Sequence, residues 1–520
     1  LPTTISTLDP KEIEDTFSHE VCRQIFDGLF EVDTDSTAMT GAPLPESRVQ
    51  PSLVATWSCT DDRLTYRFQL RPDCRFHATF GPQEAPTANG GRMVVAEDVE
   101  FTFKRLLSPD FKSPRRKAFW VIKGAQAFSE GATQHLEGIR VISSDTVDIT
   151  LERPFAPFLA MLSLSNAFIV PREDVEALKE GFAATPVGAG PFFWAGKQDQ
   201  TIVLKPNRNY YRGRPYLDGI EFSAVKDELD RFQRFKKGEL SVTDVPDPEY
   251  KNVKADPGLM PYCQEVSRWG TQYLGFNVTI PPFNDVRVRR AFNYAIDRET
   301  IVKLILNDRA KIAKGVLPPG ILGYSRELEG YRFNQKKAAE LLNAAGYPQG
   351  KGFPEITLQT NKDSMHSRIC EFMLANLRDI GINCSIKEVE FKDHLVGIIA
   401  GQVPFFRLGW SVDYPDPDNM IYLLFHSANH GAEGNYSMYT NPTVDQLLDQ
   451  GRFELDSRQR LAAYQKAEQI IVDDAPWVFV YHYTTHLLSQ PTIRGLVLTP
   501  MGSPYINYRK IWFSRSVKTP

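Results

Sequence analysis

Leu64, Tyr66, Phe68 and Leu70 alternate with Thr65, Arg67 and Gln69, the period-two pattern of a strand with one buried face. Asp61-Asp62, after Trp57, is a turn signal ahead of that strand and predicts a hairpin, and Val147, Ile149 and Leu151 repeat the alternation later. Nearer the start, Val21, Ile25, Phe26 and Leu29 recur at helical spacing with Ser18 as the expected N-cap. Residues 45–165 therefore read as a β-rich section with few helices.

Gly-Pro clusters punctuate the next stretch at Thr185 to Pro191, Asn207 to Pro215 and Asp244 to Pro248, and they predict loops between short strands. After about residue 277 the pattern changes to capped helices alternating with short apolar strands, the mark of βαβ units. Asn334 caps a helix with the face Ala338, Leu341, Leu342 and Ala345, stopped at Gly346, and a strand follows from Ile356 to Gln359. Ser364 opens a helix with the face Ile369, Phe372, Met373, Leu377 and Ile380; Ile382, Cys384 and Ile386 alternate as a strand. A further helix near 391–400 leads to an apolar strand from Val403 to Trp410, so β-α-β-α-β is expected over about 355–410.

Composition narrows the classes. The 520 residues carry 60 Lys+Arg against 64 Asp+Glu, a formal charge of -4, and 42% are hydrophobic. That length exceeds a single core and predicts several domains. No block of like charges offers a footprint for nucleic acid or an anionic membrane. The longest apolar run, Phe158 to Val170, is broken by Ser163, Ser165 and Asn166 and is too short to span a bilayer. The six cysteines show no C-x-x-C and no zinc spacing. The chain opens Leu1-Pro2 with no leader, as expected of a trimmed chain or a mature form whose signal has been removed.

In an open α/β sheet, ligands bind beyond the carboxyl ends of the strands. The strand ending at Trp410 delivers such a loop, Gly409-Trp410-Ser411-Val412-Asp413-Tyr414-Pro415-Asp416-Pro417-Asp418-Asn419, with an indole, a phenol and three carboxylates. Asp416 and Asp418 read as turn residues, and Asp418 or Asn419 as the N-cap of a helix over Met420 to Phe425. Asp413 sits nearer the strand end, where capping does not account for it. The central glycine and terminal glutamate of a calcium loop are absent.

Gly409 to Asn419 resembles a "GW…DYPDPDN" segment of the extracytoplasmic solute-binding proteins of family 5, the dipeptide, oligopeptide and nickel-type receptors of ABC importers. Similar segments follow in order along nearly the whole chain. They include Thr7-Leu8-Asp9-Pro10, Ile25 to Leu29, Tyr66 to Arg71, Asp98 to Arg105, Pro186 to Phe192, Asn207 to Tyr211, Tyr273 to Asn277, Asp285 to Arg289, Ala295-Ile296-Asp297 and Asp474 to Trp477. The resemblance implies an α/β fold, the two-lobed periplasmic binding protein clamshell (type II, cluster C-like) with an additional peripheral α+β domain. Lobe I would comprise 1–44, 166–275 and 488–520, the extra domain 45–165, and lobe II 276–487. It implies a monomeric receptor, exported to the periplasm or the extracellular face of the membrane and peripheral to it, with or without a lipid anchor. Such a receptor encloses a peptide or similar solute between its lobes and delivers it to an ABC permease with its ATPase. No cofactor, resident metal or nucleic acid is expected.

The resemblance also implies site residues. Asp413 would take the α-ammonium group of a peptide, and Trp410 and Tyr414 would wall the ligand. Trp269 and Thr271, in the stretch Ser267 to Thr271, would line the cleft. Some dipeptide-specific relatives carry an Arg after the strand near 356–360, where this chain has Gln359-Thr360-Asn361. That departure counts against a short-peptide clamp and leaves open longer peptides, bound mainly through backbone hydrogen bonds, and non-peptide solutes.

No enzyme template is complete. There is no G-x-x-x-x-G-K loop, Gly188-Ala189-Gly190 lacks a third glycine at Phe193, His19-Glu20 lacks a second histidine, and Asp413 stands where a nucleophile elbow needs glycine. His482 with His486, and His426 with His430, are the candidate metal pairs. Arg287, Arg289 and Arg290 read as a solvated helix face or as lobe–lobe ion pairs. Cys22 and Cys263 both fall in lobe I, where export would allow oxidation. Two other functions are carried: a receptor for nickel or another metal chelate, and a ligand-sensing receptor that does not transport.

Overall fold

The computed structural model of the chain describes residues 1–34, 49–111 and 113–514. Its backbone forms two compact units, Leu1–Glu265 with His486–Pro520, and Val266–Thr485. The expected boundary at 44/45 lies outside the described residues, as does the stretch 515–520.

In the first unit, α1 (Thr16–Ile25) is capped by Asp15, whose carboxylate accepts from Phe17 N and Ser18 N at 3.0 and 2.8 Å. Ser18, the expected cap, stands one turn inside because the acidic residue three positions earlier is the stronger acceptor; its hydroxyl instead accepts from Ser6 N at 3.1 Å. The helix ends at Ile25, so Phe26 and Leu29 are buried beyond it. Cys22 on this helix is a buried thiol.

The hairpin forms as the alternation predicts. β1 (Val54–Cys59) and β2 (Thr65–Leu70) pair antiparallel, with Trp57 opposite Phe68. Asp62 turns the corner, accepting from Leu64 N at 3.0 Å beside a left-handed Arg63 (φ 57). α2 (Ala96–Leu106) packs Val99, Thr102 and Phe103 inward, and Asp98 reaches back to accept from Val95 N at 2.9 Å. Arg105 on the same helix donates from Nη1 to buried Asp9 at 2.6 Å, joining two of the segments that carry the family resemblance. β3 (Ile139–Ser143) and β4 (Thr146–Thr150) complete a four-stranded sheet in the order β1-β2-β4-β3, burying Val147 and Ile149 against α2.

A second, three-stranded sheet follows, with β6 (Thr201–Pro206) between β5 (Phe192–Gln198) and β7 (Ile220–Ser223). Before it, Gly190 N donates to Ile25 O at 2.8 Å, and a Cβ on Gly188 would stand 2.2 Å from that carbonyl. The glycines of Pro186 to Pro191 are thus needed where the loop touches the end of α1. β8 (Val242–Asp244) pairs with residues 487–489.

The second unit has β9 (Gly270–Phe276), α3 (Val286–Ala295), α4 (Gln335–Ala344), β10 (Ile356–Asn361), α5 (Ser364–Arg378), β11 (Cys384–Val389), α6 (Phe391–Ile399) and β12 (Phe405–Ser411). Then come α7 (Asp418–Phe425), α8 (Pro442–Phe453), α9 (Ser457–Asp474) and β13 (Trp477–Ser489), whose residues from His486 onward belong to the first unit. β12-β10-β11 are parallel, the expected βαβαβ, while β9 runs antiparallel between β12 and β13. Asn334 caps α4 as expected, and Asp363, one residue before Ser364, caps α5.

The core of this unit is aromatic. Phe276, Phe283, Phe292 and Phe405 are fully buried, and Phe276 meets the other three with ring centroids 4.7–5.5 Å apart. Arg289 and Arg290, expected on a solvated face or in lobe–lobe ion pairs, instead donate to backbone carbonyls at the end of α9, Asp474 O at 2.7 Å and Asp473 O at 2.6 Å. A helix C-terminus leaves such carbonyls without partners and favours cations.

Candidate functional site

β12 ends at Ser411, and the antiparallel register of β9 puts Gly270 opposite Ser411 and Thr271 opposite Trp410. Val412 N donates to Trp269 O at 3.0 Å, closing the pair beyond the strand. Trp269, Thr271, Trp410 and Asp413, which come from two distant segments, are therefore gathered at one end of one sheet. Gly270 permits this approach, because a Cβ there would lie 2.7 Å from Trp410 O and 2.9 Å from Ser411 Oγ.

The five expected residues differ in what they expose. Trp410 and Asp413 are half-buried; Tyr414, Trp269 and Thr271 are buried. The Thr271 hydroxyl donates to Val316 O at 2.6 Å, and His482 Nδ1 lies 3.0 Å from it and 3.1 Å from Gly270 O. The Tyr414 phenol donates to Asp418 Oδ2 at 2.6 Å, and burial first, then the Asp418 charge, pushes it well above the usual phenol range. Those two hydroxyls are engaged inside the unit.

The loop from 411 to 419 is held from beneath by α8 and α9. Arg460 bonds to Asp416, whose Oδ1 also accepts from Asp418 N at 2.9 Å. Asp418 accepts from Tyr464 at 3.1 Å and lies 3.7 Å from Arg452, whose guanidinium stacks 3.9 Å over the Tyr422 ring. Burial pushes the Asp416 carboxyl up, and Arg460 pulls it back. The capping duty expected of Asp418 or Asn419 falls to Asp416, because the helix begins at Asp418 and an Asx side chain caps donors two positions on. Asn419 turns its side chain back toward the strand, accepting at Oδ1 from Trp410 Nε1 at 3.1 Å and from Asp413 N at 3.0 Å.

A residue that sequence reasoning missed is Arg407, in the middle of β12 and 8% exposed. It donates to Gln272 and, at 3.1 Å, to His366 Nδ1. Burial first and then the Arg407 cation push the His366 imidazole down to about 3, so it is a neutral acceptor. Among the described residues no carboxylate lies within ion-pair distance of Arg407. The available signal was a lone cation in the apolar run Phe405-Phe406-Arg407-Leu408. Gly409 makes room for its partner, since a Cβ there would meet the Gln272 carboxamide at 2.3 Å.

The histidine pairs are used locally. Burial pushes His482 down to about 4, and the ring is engaged as above. His426 Nδ1 accepts from Ala428 N at 3.1 Å, and His430 Nε2 lies 2.9 Å from Tyr439 O. Among the described residues, no group of three or more His, Cys, Asp or Glu is placed to hold one metal ion. No described helix is long and apolar enough to cross a membrane.

Residues 48–432 match the family described as bacterial extracellular solute-binding proteins, family 5 Middle. Heme-binding protein A of Haemophilus influenzae is 30% identical over 501 residues, 94% of this chain and 87% of that protein. A probable di/tripeptide-binding protein 5 of Pseudomonas aeruginosa is 29% identical over 472 residues, 87% of this chain and 85% of its own. The ABC transporter-associated periplasmic binding protein DppA from Helicobacter pylori, solved in complex with the peptide STSA, superposes with a TM-score of 0.83 at 25% identity, covering 99% of this chain and 97% of the other. That likeness carries the expected α/β fold of two-lobed periplasmic binding proteins. By the extent of the match, the chain belongs to the bacterial extracellular solute-binding proteins of family 5.

Proposed function

We propose that the protein is an extracytoplasmic receptor of an ABC importer that takes a short peptide with a free amino terminus and passes it, chemically unchanged, to a membrane permease and its ATPase. The observation that carries this reading is the pair of opposite charges offered by one strand: half-buried Asp413 just past its carboxyl end, and within it buried Arg407, whose side chain bonds to Gln272 and His366. A strand rises about 3.3 Å per residue, so the four-residue step from Arg407 to the strand end at Ser411 is about 13 Å, with Asp413 two residues beyond it. A separation of that order suits a peptide of a few residues lying extended.

Asp413 takes the α-ammonium and Arg407 the carboxylate, each as a charge-assisted hydrogen bond. Trp410 supplies an apolar wall whose indole is already fixed. Tyr414, Thr271 and Trp269, buried in the unit, support that wall and the loop behind it. Among the relatives, those named for di- and tripeptides support an amino-terminal ammonium as the recognised feature, which the name of Heme-binding protein A does not call for. The domain division that goes with this reading is lobe I at 1–44, 166–275 and 488–520, a peripheral domain at 45–165 and lobe II at 276–487. The four-stranded sheet and α2 give the peripheral domain its own apolar face.

Titration calorimetry of the protein with a tripeptide library, beside the N-acetylated forms, tests the reading. Wild type is expected to prefer the free amines, and Asp413→Ala to lose that preference. Equal binding of both peptide sets by wild type and variant would overturn the role of Asp413.

A further inference from the structure

Asn419 is the second residue of α7 and is 1% exposed. An asparagine at a helix start usually caps it, yet here Asp416 already serves the Asp418 N–H, and the Asn419 amide points the other way. Its Oδ1 accepts from the Trp410 indole at 3.1 Å and from the Asp413 backbone at 3.0 Å. Both partners can only donate, so the amide can present only its oxygen to them, and its orientation is fixed before any solute arrives. One buried atom thereby sets both the plane of the indole and the stretch of backbone from which the Asp413 carboxylate projects. Asn419 is itself seated on a buried frame: its N–H donates to Asp416 O at 3.2 Å, Asp416 is gripped by Arg460, and Asp418 by Tyr414 and Tyr464.

We infer that Asn419 is the positioning residue of solute recognition: it presets Trp410 and Asp413 together, so that selectivity for a free over a blocked amino terminus depends on a side chain that does not touch the solute. The inference rests on the role proposed above for Asp413. It follows from preorganisation, since an acceptor already aimed at an ammonium loses less freedom on binding than one that must be ordered.

The selectivity is read as the ratio of Kd for N-acetyl-trialanine to Kd for trialanine in wild type, Asn419→Leu and Asn419→Asp. Asn419→Leu removes the acceptor and is expected to lower the ratio about tenfold or more, the size of one charge-assisted hydrogen bond. Asn419→Asp keeps an acceptor of the same shape and is expected to retain most of the ratio. A merely structural role would weaken both peptides alike and leave the ratio unchanged. Proton exchange of the Trp410 indole and the Asp413 amide is followed in parallel; both are expected to be protected in wild type and to be released in Asn419→Leu.

A wild-type ratio that survives in a folded Asn419→Leu would overturn the inference alone. A wild type with no selectivity would overturn the Asp413 assignment, and the inference with it. If Asn419→Leu does not fold, Asn419→Ser, which is too short to reach either donor, is read in its place with the same expected loss. Rapid exchange of both protons in wild type would also overturn the inference.

Discussion

Replacing Glu468 with Gln should stabilise the Val266–Thr485 unit at alkaline pH and leave it unchanged at acid pH. Glu468 lies on α9, is 1% exposed, and accepts from Leu317 N at 2.8 Å through Oε1, while Oε2 has no hydrogen-bond partner. Among the described residues no cation pairs with it. Burial pushes its carboxyl from 4.5 up to about 7, with the Leu317 and Val316 backbone N–H groups pulling it back. The unfolded chain binds the proton less tightly, so protonation favours the folded unit. The resulting stability is fully present below pH 4.5 and is lost as pH rises through 7.

A rise of that size, at about 1.4 kcal/mol per pH unit, is worth about 3 kcal/mol. At pH 8 the wild type carries a buried carboxylate without a counter-charge, and Gln, of the same shape and neutral, removes it. For a domain of this size the gain corresponds to a Tm increase of about 6–12 °C. Scanning calorimetry at pH 4, 6 and 8 checks it. Equal Tm differences at all three values, or a variant less stable at pH 8, would refute the argument.

Arg460→Met should destabilise the same unit by about 3–5 kcal/mol in urea unfolding, because Asp416 is left buried and alone, and Arg460→Met combined with Asp416→Leu should recover most of the loss. If the double variant is no better than the single, the pair is not the reason. Gly188→Ala should lower the melting temperature of the first unit, since its Cβ would press on the Ile25 carbonyl at 2.2 Å; an unchanged melt would show that the loop can yield. Arg407→Met should weaken tripeptides with a free carboxylate about tenfold in calorimetry while sparing their amides. Equal weakening of acids and amides would remove Arg407 from carboxylate recognition.

Much of this architecture was legible because hydrophobic period and loop chemistry are local. The alternation around Phe68 and the apolar faces of the helices at 335–344 and 364–378 are short-range signals, and the structure places strands and helices there. Caps were less legible: more than one acceptor stands near the start of α1, and Asp15 prevails over the serine three positions later, whereas α5 does begin at Ser364, with Asp363 as its cap. The loop after Trp410 was visible as a concentration of rare side chains at a strand end. Which of its carboxylates face inward was not, because Arg452 and Arg460 arrive from helices far along the chain. The pairing of Thr271 with Trp410 has the same cause, as does the partner set of Arg407, which depends on Gln272 and His366 meeting across three elements.

A peptide with a free amino terminus should be recoverable from the binding site itself. Mass spectrometry of whatever the native protein retains after purification from peptide-rich medium reads this without any assumed ligand. Peptides of a few residues with unblocked amino termini, lost from Asp413→Ala, are the result predicted. Haem, a metal chelate or any solute without an ammonium group, retained equally by Asp413→Ala, would contradict it.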